Sequence, residues 1–292
     1  MQLLNYLQTT PPAYYLLMAV IGLLVGSFLN VVIHRLPIML QRNWEKECRL
    51  ILDINYGQPR VPEPYNLFRP RSRCPHCNRM IRAVENIPVL SYLMLRGKCS
   101  GCGAPISLRY PMVEAISGVL ALFLSWYFGF TIQAVLALVF SWALLSMSII
   151  DLDHQLLPDD ITLPVLWMGL LVSLFGVFTD LESSLIGAMA GYGILWSVFM
   201  LFRLVTGKEG MGYGDFKLLS ALGAWLGWQM LPQIILLSSL CGAVVGITMI
   251  LLKRQEMSRP IPFGPYLAAA GWIALILGQE LNSMYTRWAW SP

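Results

Sequence analysis

Residues 132–160 read IQAVLALVFSWALLSMSIIDLDHQLLPDD, and the first nineteen of them carry no charge. About 20 predominantly apolar residues in a helix cross the ~30 Å hydrocarbon core of a bilayer, so this run reads as a membrane span. It ends abruptly on carboxylates: Asp151 and Asp153 follow at once, and Asp159 and Asp160 stand before the next apolar run, ITLPVLWMGLL. A chain that leaves and re-enters the membrane through four acids sets both the fold class and the search for chemistry.

The rest of the sequence agrees. Its 292 residues are 57% hydrophobic and 12% charged, with a mean hydropathy of +0.61; soluble domains carry about 25% charged residues. This composition argues against a soluble enzyme and describes an all-α polytopic membrane protein whose helices must pack on one another. Eight spans are expected, near 12–33, 111–130, 132–150, 161–179, 184–205, 215–229, 231–252 and 262–282, and seven would remain compatible with the pattern. No Lys or Arg precedes His34 and Arg35, so the first apolar run lacks the basic start of a signal peptide and reads as a retained span.

Basic residues orient the bundle, because loops rich in Lys and Arg stay in the cytoplasm. With eight spans, nineteen of the twenty Lys and Arg fall on one face, thirteen of them between residues 34 and 110, and only Arg287 lies opposite. Both termini are then outside, and the segments at 151–160 and 206–215 are cytoplasmic. Topology and anionic lipid account for the net charge of +4, and no nucleic-acid partner is expected.

The 34–110 segment reads as a separate cytoplasmic domain. It holds CPHC (Cys74, Cys77) and CSGC (Cys99, Cys102). Each Cys-x-x-Cys presents two thiolates from a tight turn, and two such turns make a tetrahedral four-sulfur shell suited to a structural Zn²⁺. Iron is the next candidate for such a shell, while disulfides are disfavoured on a reducing face. His76 reads as a turn residue, and Cys48 and Cys241 as small apolar packing residues.

Charges at span edges are functional candidates by default. Asp159 or Asp160 is expected to cap the helix that follows, which leaves Asp151 unexplained. Asp215, in GMGYGDFK (210–217), opens the sixth span from the same side, 64 residues later. Two carboxylates at one depth can share a proton, one taking a proton from water while the other protonates a substrate carbonyl. From spacing and topology alone, an aspartyl protease and a transporter with a proton-relay pair and a zinc docking module stand equal. Alternate glycines, Gly212 and Gly214 among them, would let an extended substrate approach Asp215. Lys217 reads as a border cation, Glu114 as a partner for Arg109, and Asn30, His34 and Arg35 as a helix end with snorkelling cations.

The ordered set GSFLNVVIHRLP (26–37), CPHC, NIPVLSYL (86–93), CSGC, ISLRYPMVE (106–114), IDLDHQLLPD (150–159), GMGYGDFKLL (210–219) and IPFGPYLAAAGW (261–272) resembles the type IV prepilin leader peptidases, which also serve type II secretion. The resemblance covers nearly the whole chain and tips the choice to a protease. It implies catalytic roles for Asp151 and Asp215, the latter in the Gly-x-Gly-Asp signature shared with presenilin-type intramembrane proteases; Asp153 is the rival for the first role and lies further out. It implies removal of the basic leader from a prepilin or pseudopilin at the cytoplasmic boundary of the bacterial inner membrane. It also implies N-methylation of the new terminus by S-adenosyl-L-methionine, associated with Gly97 and Lys98, and a chain divided into a first span (1–33), a four-cysteine zinc domain (34–110) and a peptidase core (111–292).

Overall fold

The structure is a computed structural model and describes residues 2–52, 64–208, 210–252 and 262–289. Among them there are ten α-helices and no strand: α1 (Gln2–Thr9), α2 (Pro11–Leu52), α3 (Leu90–Met94), α4 (Arg109–Phe128), α5 (Ile132–His154), α6 (Asp159–Ser173), α7 (Leu181–Thr206), α8 (Tyr213–Leu226), α9 (Leu231–Leu251) and α10 (Gly264–Ala289). Short 3-10 turns sit at Ala83–Asn86 and Trp228–Met230. The chain divides into two compact units, Met1–Trp142 and Ala143–Pro292, with α5 running from one into the other.

Helices coincide with all eight expected spans, but five of them are long and apolar enough to cross a bilayer: α2, α4, α5, α7 and the Trp228–Met249 stretch that joins the second 3-10 turn to α9. Helices α6 and α8 have 15 and 14 residues, roughly 20 Å each at 1.5 Å per residue, and the apolar stretch described in α10 is Gly264–Gly278. From Asp215 to Leu226, α8 is buried except around Lys217. A helix covered by protein need not match the bilayer thickness, which is why hydropathy alone marks it weakly.

In the first unit α2 packs along α4 through small residues. A Cβ on Gly22 would lie 2.5 Å from Ala121 Cβ, one on Gly26 would lie 2.7 Å from Glu114 Cα, and the Ser117 hydroxyl donates to the Gly22 carbonyl at 2.5 Å. Close backbone approach is the usual means of holding helices together where lipid is the solvent. Helix α2 continues past the expected end of its span, through Pro37, to Leu52. Its extension is rich in good helix formers and exposed from Asn43 onward, with a Gln41–Glu45 contact one turn apart; hydropathy cannot see a helix once it leaves the apolar run.

In the second unit α8 is the central helix. Against α7, a Cβ on Gly187 would lie 2.4 Å from the Gly223 carbonyl oxygen, and the Trp225 indole N–H donates to Val165 O on α6 at 2.7 Å. Asp180 caps α7 by accepting the Ser183 N–H at 2.9 Å. The expected cap of α6 is corrected. Pro158 occupies the N-cap and Asp159 and Asp160 lie in the first turn, where carboxylates still meet the positive end of the helix dipole. Lys253, Arg254 and Arg259 of the expected basic loop lie outside the described residues.

Candidate active site and metal centre

Asp151 and Asp215 both belong to the second unit and are buried, at 6% and 8% exposure. Asp151 lies in the last turn of α5, and its carbonyl accepts the Gln155 N–H at 2.8 Å as the chain turns off the helix. Asp215 lies in the first turn of α8, behind an N-cap, Gly212, that has no side chain. The two carboxylates are within electrostatic reach of each other, and Asp215 Oδ1 is buried without a hydrogen-bond partner among the described residues. Asp153, by contrast, is exposed.

A third piece of backbone completes the arrangement. The Gly264 N–H, at the start of α10, donates to Asp151 Oδ2 at 3.0 Å, and a Cβ on Gly264 would lie 2.7 Å from that oxygen. Leu157 joins the parts: its Cδ2 would be 3.2 Å from a Cβ on Gly264, and its Cβ 2.8 Å from one on Gly214. The segments bearing Asp151, Asp215 and Gly264 therefore meet around one leucine side chain. Gly264 was not singled out from the sequence. Its signal was available in IPFGPYL, where a glycine precedes a proline at a helix start.

The glycines divide in role. Gly214 leaves room for Leu157, whereas a Cβ on Gly212 would meet open space, its nearest neighbours being Asp215 Oδ2 and Gly214 N at 4.0 Å. Lys217 pairs with Asp159 across α8 and α6, Nζ to Oδ2 at 2.7 Å. Glu114 accepts the Val89 backbone N–H at 2.8 Å. Asn30 donates to Tyr110 O at 3.0 Å, and Arg35 is buried, giving its guanidinium to the carbonyls of Asn66, Leu67 and Pro70. Arg35 therefore holds the segment 66–70, which replaces its expected snorkelling role. Cys48 and Cys241 are exposed, and the expectation that they fill apolar gaps is corrected.

In the first unit the two knuckles repeat one geometry. In each, the residue before the first cysteine bridges the residue seven positions on, Arg73 with Met80 and Lys98 with Pro105. In each, the residue four positions after that cysteine has positive φ, Asn78 at 54° and Gly103 at 71°, and donates its N–H to the cysteine carbonyl at 2.9 Å. The four Sγ atoms of Cys74, Cys77, Cys99 and Cys102 lie within 4.8 Å of one another, with Cys74 and Cys102 3.9 Å apart. Tetrahedral zinc with bonds of about 2.3 Å puts its sulfurs about 3.8 Å apart, so the set fits that ion. Backbone N–H groups of Cys77 and then His76 hold the Cys74 thiol down to about 6, which favours the thiolate a metal needs.

Glu85 ties the knuckles together. It accepts from Ser100 at 2.5 Å, from Arg79 at 2.9 Å and from the Arg82 N–H at 2.9 Å. The Ser100 hydroxyl, followed by the Arg82 N–H and Arg79, holds its carboxyl down to about 2. Gly97 and Lys98 lead directly into the second knuckle. Gly97 has φ of 67°, and a Cβ there would lie 2.7 Å from the Tyr92 hydroxyl, so its backbone and its neighbour both call for glycine.

Comparison with known proteins follows this two-part layout. Residues 20–128 match the bacterial peptidase A24 N-terminal domain, and residues 138–247 match the type IV leader peptidase family. A prepilin leader peptidase/N-methyltransferase of Stutzerimonas stutzeri is 56% identical over 98% of both chains. One of Pseudomonas aeruginosa is 56% identical over 99% of both, and one of Dichelobacter nodosus is 48% identical over 97% of this chain and 98% of its own. No solved structure matches. With such relatives aligned from end to end, the chain belongs to the type IV leader peptidase family.

Proposed function

We propose that this chain is a membrane-embedded aspartyl endopeptidase that removes the basic leader of type IV prepilins or type II secretion pseudopilins, and then methylates the new N-terminal residue. The observation that supports the first activity most strongly is the buried carboxylate pair, with Asp151 fixed by the Gly264 N–H and Asp215 Oδ1 without a partner among the described residues. An unsatisfied buried carboxylate oxygen is costly unless something is meant to meet it. In the proposed reaction one carboxylate takes a proton from water as the water oxygen attacks the scissile carbonyl carbon. The other carboxylic acid gives its proton to the carbonyl oxygen. Collapse of the tetrahedral adduct breaks the C–N bond, and the leaving amine takes up a proton. The pair titrates as a unit, so acid and base roles belong to the pair.

Methylation is supported by the names of the relatives. S-adenosyl-L-methionine would supply the methyl group to the freed amine, which loses a proton. Zn²⁺ is the proposed occupant of the cysteine site, closed to chemistry by four protein ligands and serving as a staple for the module within 34–110; residues 111–292 carry the peptidase core. Gly97 and Lys98 are proposed to serve methylation, and open Gly212 to give the substrate backbone access to Asp215. The family and the apolar helices support a bacterial inner-membrane location, and the distribution of Lys and Arg supports placing the aspartates and cysteines on the cytoplasmic side.

The test is direct. Purified protein in a bilayer, given a prepilin and methyl-labelled S-adenosylmethionine, should yield a shortened and labelled product; recovery of intact, unlabelled prepilin would contradict the reading.

A further inference from the structure

The four-cysteine module carries an apolar surface that none of its described residues covers. Leu90, Leu93 and Met94 share one face of α3 at helical spacing and are 59%, 64% and 76% exposed, with Ile87 beside them at 41%. Four large apolar side chains so close together form a patch that calls for a partner.

The position of α3 says what that partner is. Glu114 lies five residues into α4, about 7.5 Å along its axis, and its carboxylate holds the Val89 N–H at 2.8 Å, immediately before α3. Glu114 also faces Gly26 of α2, inside the first apolar run. Val89 thus sits at the level of membrane-spanning helix, alongside the first turns of α4. It is a β-branched residue at φ 59°, a conformation that persists only where the surroundings impose it; the buried Glu114 carboxylate does so here. At the same level α4 exposes Leu108, just before its start, and Met112, at 63% and 57%. The apolar surface of α3 is therefore continuous with the lipid-facing surface of a spanning helix. Arg96 and Lys98, both exposed, follow within four residues of Met94, where cations would meet anionic headgroups.

We infer that α3 is an interfacial membrane helix: Ile87, Leu90, Leu93 and Met94 sit in the acyl chains of the leaflet that α4 enters, so the metal-site module lies on the bilayer rather than standing off it. This is independent of the peptidase reading.

A photo-reactive p-benzoyl-phenylalanine in place of Leu93, in the full chain reconstituted in phosphatidylethanolamine–phosphatidylglycerol bilayers, tests it. Met94 provides a second reporter position should the first variant not accumulate. Glu47, exposed on α2 about 21 Å beyond Ile33, is the control position. Irradiation should give a phospholipid adduct at position 93 or 94 and none above background at 47, in protein present in the bilayer at the parental level. The inference is overturned by absence of a lipid adduct at both reporters, by equal lipid labelling at 47, or by capture of added prepilin or of a second copy of the chain in place of lipid.

Discussion

The cysteine centre and the aspartate centre are assembled in opposite ways. Each knuckle is built within eight residues: a bridge, a left-handed residue four positions after the first cysteine and a backbone hydrogen bond aim two sulfurs, and the second knuckle repeats the first. The aspartate pair has no local code. Asp151 and Asp215 come from the end of one helix and the start of another, and a glycine 113 residues after Asp151 fixes its orientation. A sulfur cluster written locally tolerates change elsewhere in the chain, whereas a carboxylate pair written in tertiary packing is sensitive to a single methyl group at a distant position.

That contrast can be broken by substitution. Gly264→Ala puts a carbon 2.7 Å from Asp151 Oδ2, which forces the carboxylate or α10 to move. Displacements of about 1 Å at reacting groups cost on the order of 10²-fold, so kcat for leader cleavage should fall by roughly that factor, with KM and metal content unchanged. Steady-state kinetics on purified protein checks this, and a parental kcat would show that Gly264 does not position Asp151.

Cys→Ser at any of Cys74, Cys77, Cys99 or Cys102 gives the reverse pattern. Bound zinc, measured by elemental analysis, should fall from about one equivalent towards zero, while leader cleavage changes by less than threefold or so, because the contacts described for the aspartates lie in the unit Ala143–Pro292. Loss of cleavage together with metal would show that the centres are not separable.

The smallest effect concerns Glu85. Its carboxyl is held down to about 2 in the fold, against about 4.3 when unperturbed. A depressed folded pKa contributes stability that is fully present above the unfolded value and is lost as pH falls from about 4.3 through 2. Glu85→Gln should therefore lower the stability of the module slightly at neutral pH and flatten its acid dependence below pH 5, as followed by thermal melts of the full chain monitored at the cysteine module.

Much of this was legible in the sequence because the signals are local. Hydropathy located helices at all eight expected spans, and the Cys-x-x-Cys spacing identified the sulfur cluster, since turn geometry follows from nearest neighbours. Asp151 and Asp215 stood out because carboxylates at span edges are rare. What stayed hidden depends on tertiary contact. Nothing in PFGPY states that Gly264 meets Asp151, nor does SLRYPMVE show Glu114 reaching for Val89 instead of Arg109. The length of α2 was missed for another reason: its extension is polar, and a hydropathy window ends where the membrane ends. The span count stayed loose because α8 is short and shielded by protein, so its sequence need not satisfy lipid.

The central claim is that Asp151 and Asp215 act as one catalytic unit. Leader cleavage by Asp151→Ala, Asp215→Ala and the double variant, each shown to be present in the membrane at the parental level, tests it most directly. The account predicts that each single change lowers the rate by roughly 10³-fold or more and that the double change costs no more than either alone, as for residues that function together. Cleavage at the parental rate by either single variant, or losses that multiply in the double, would contradict it.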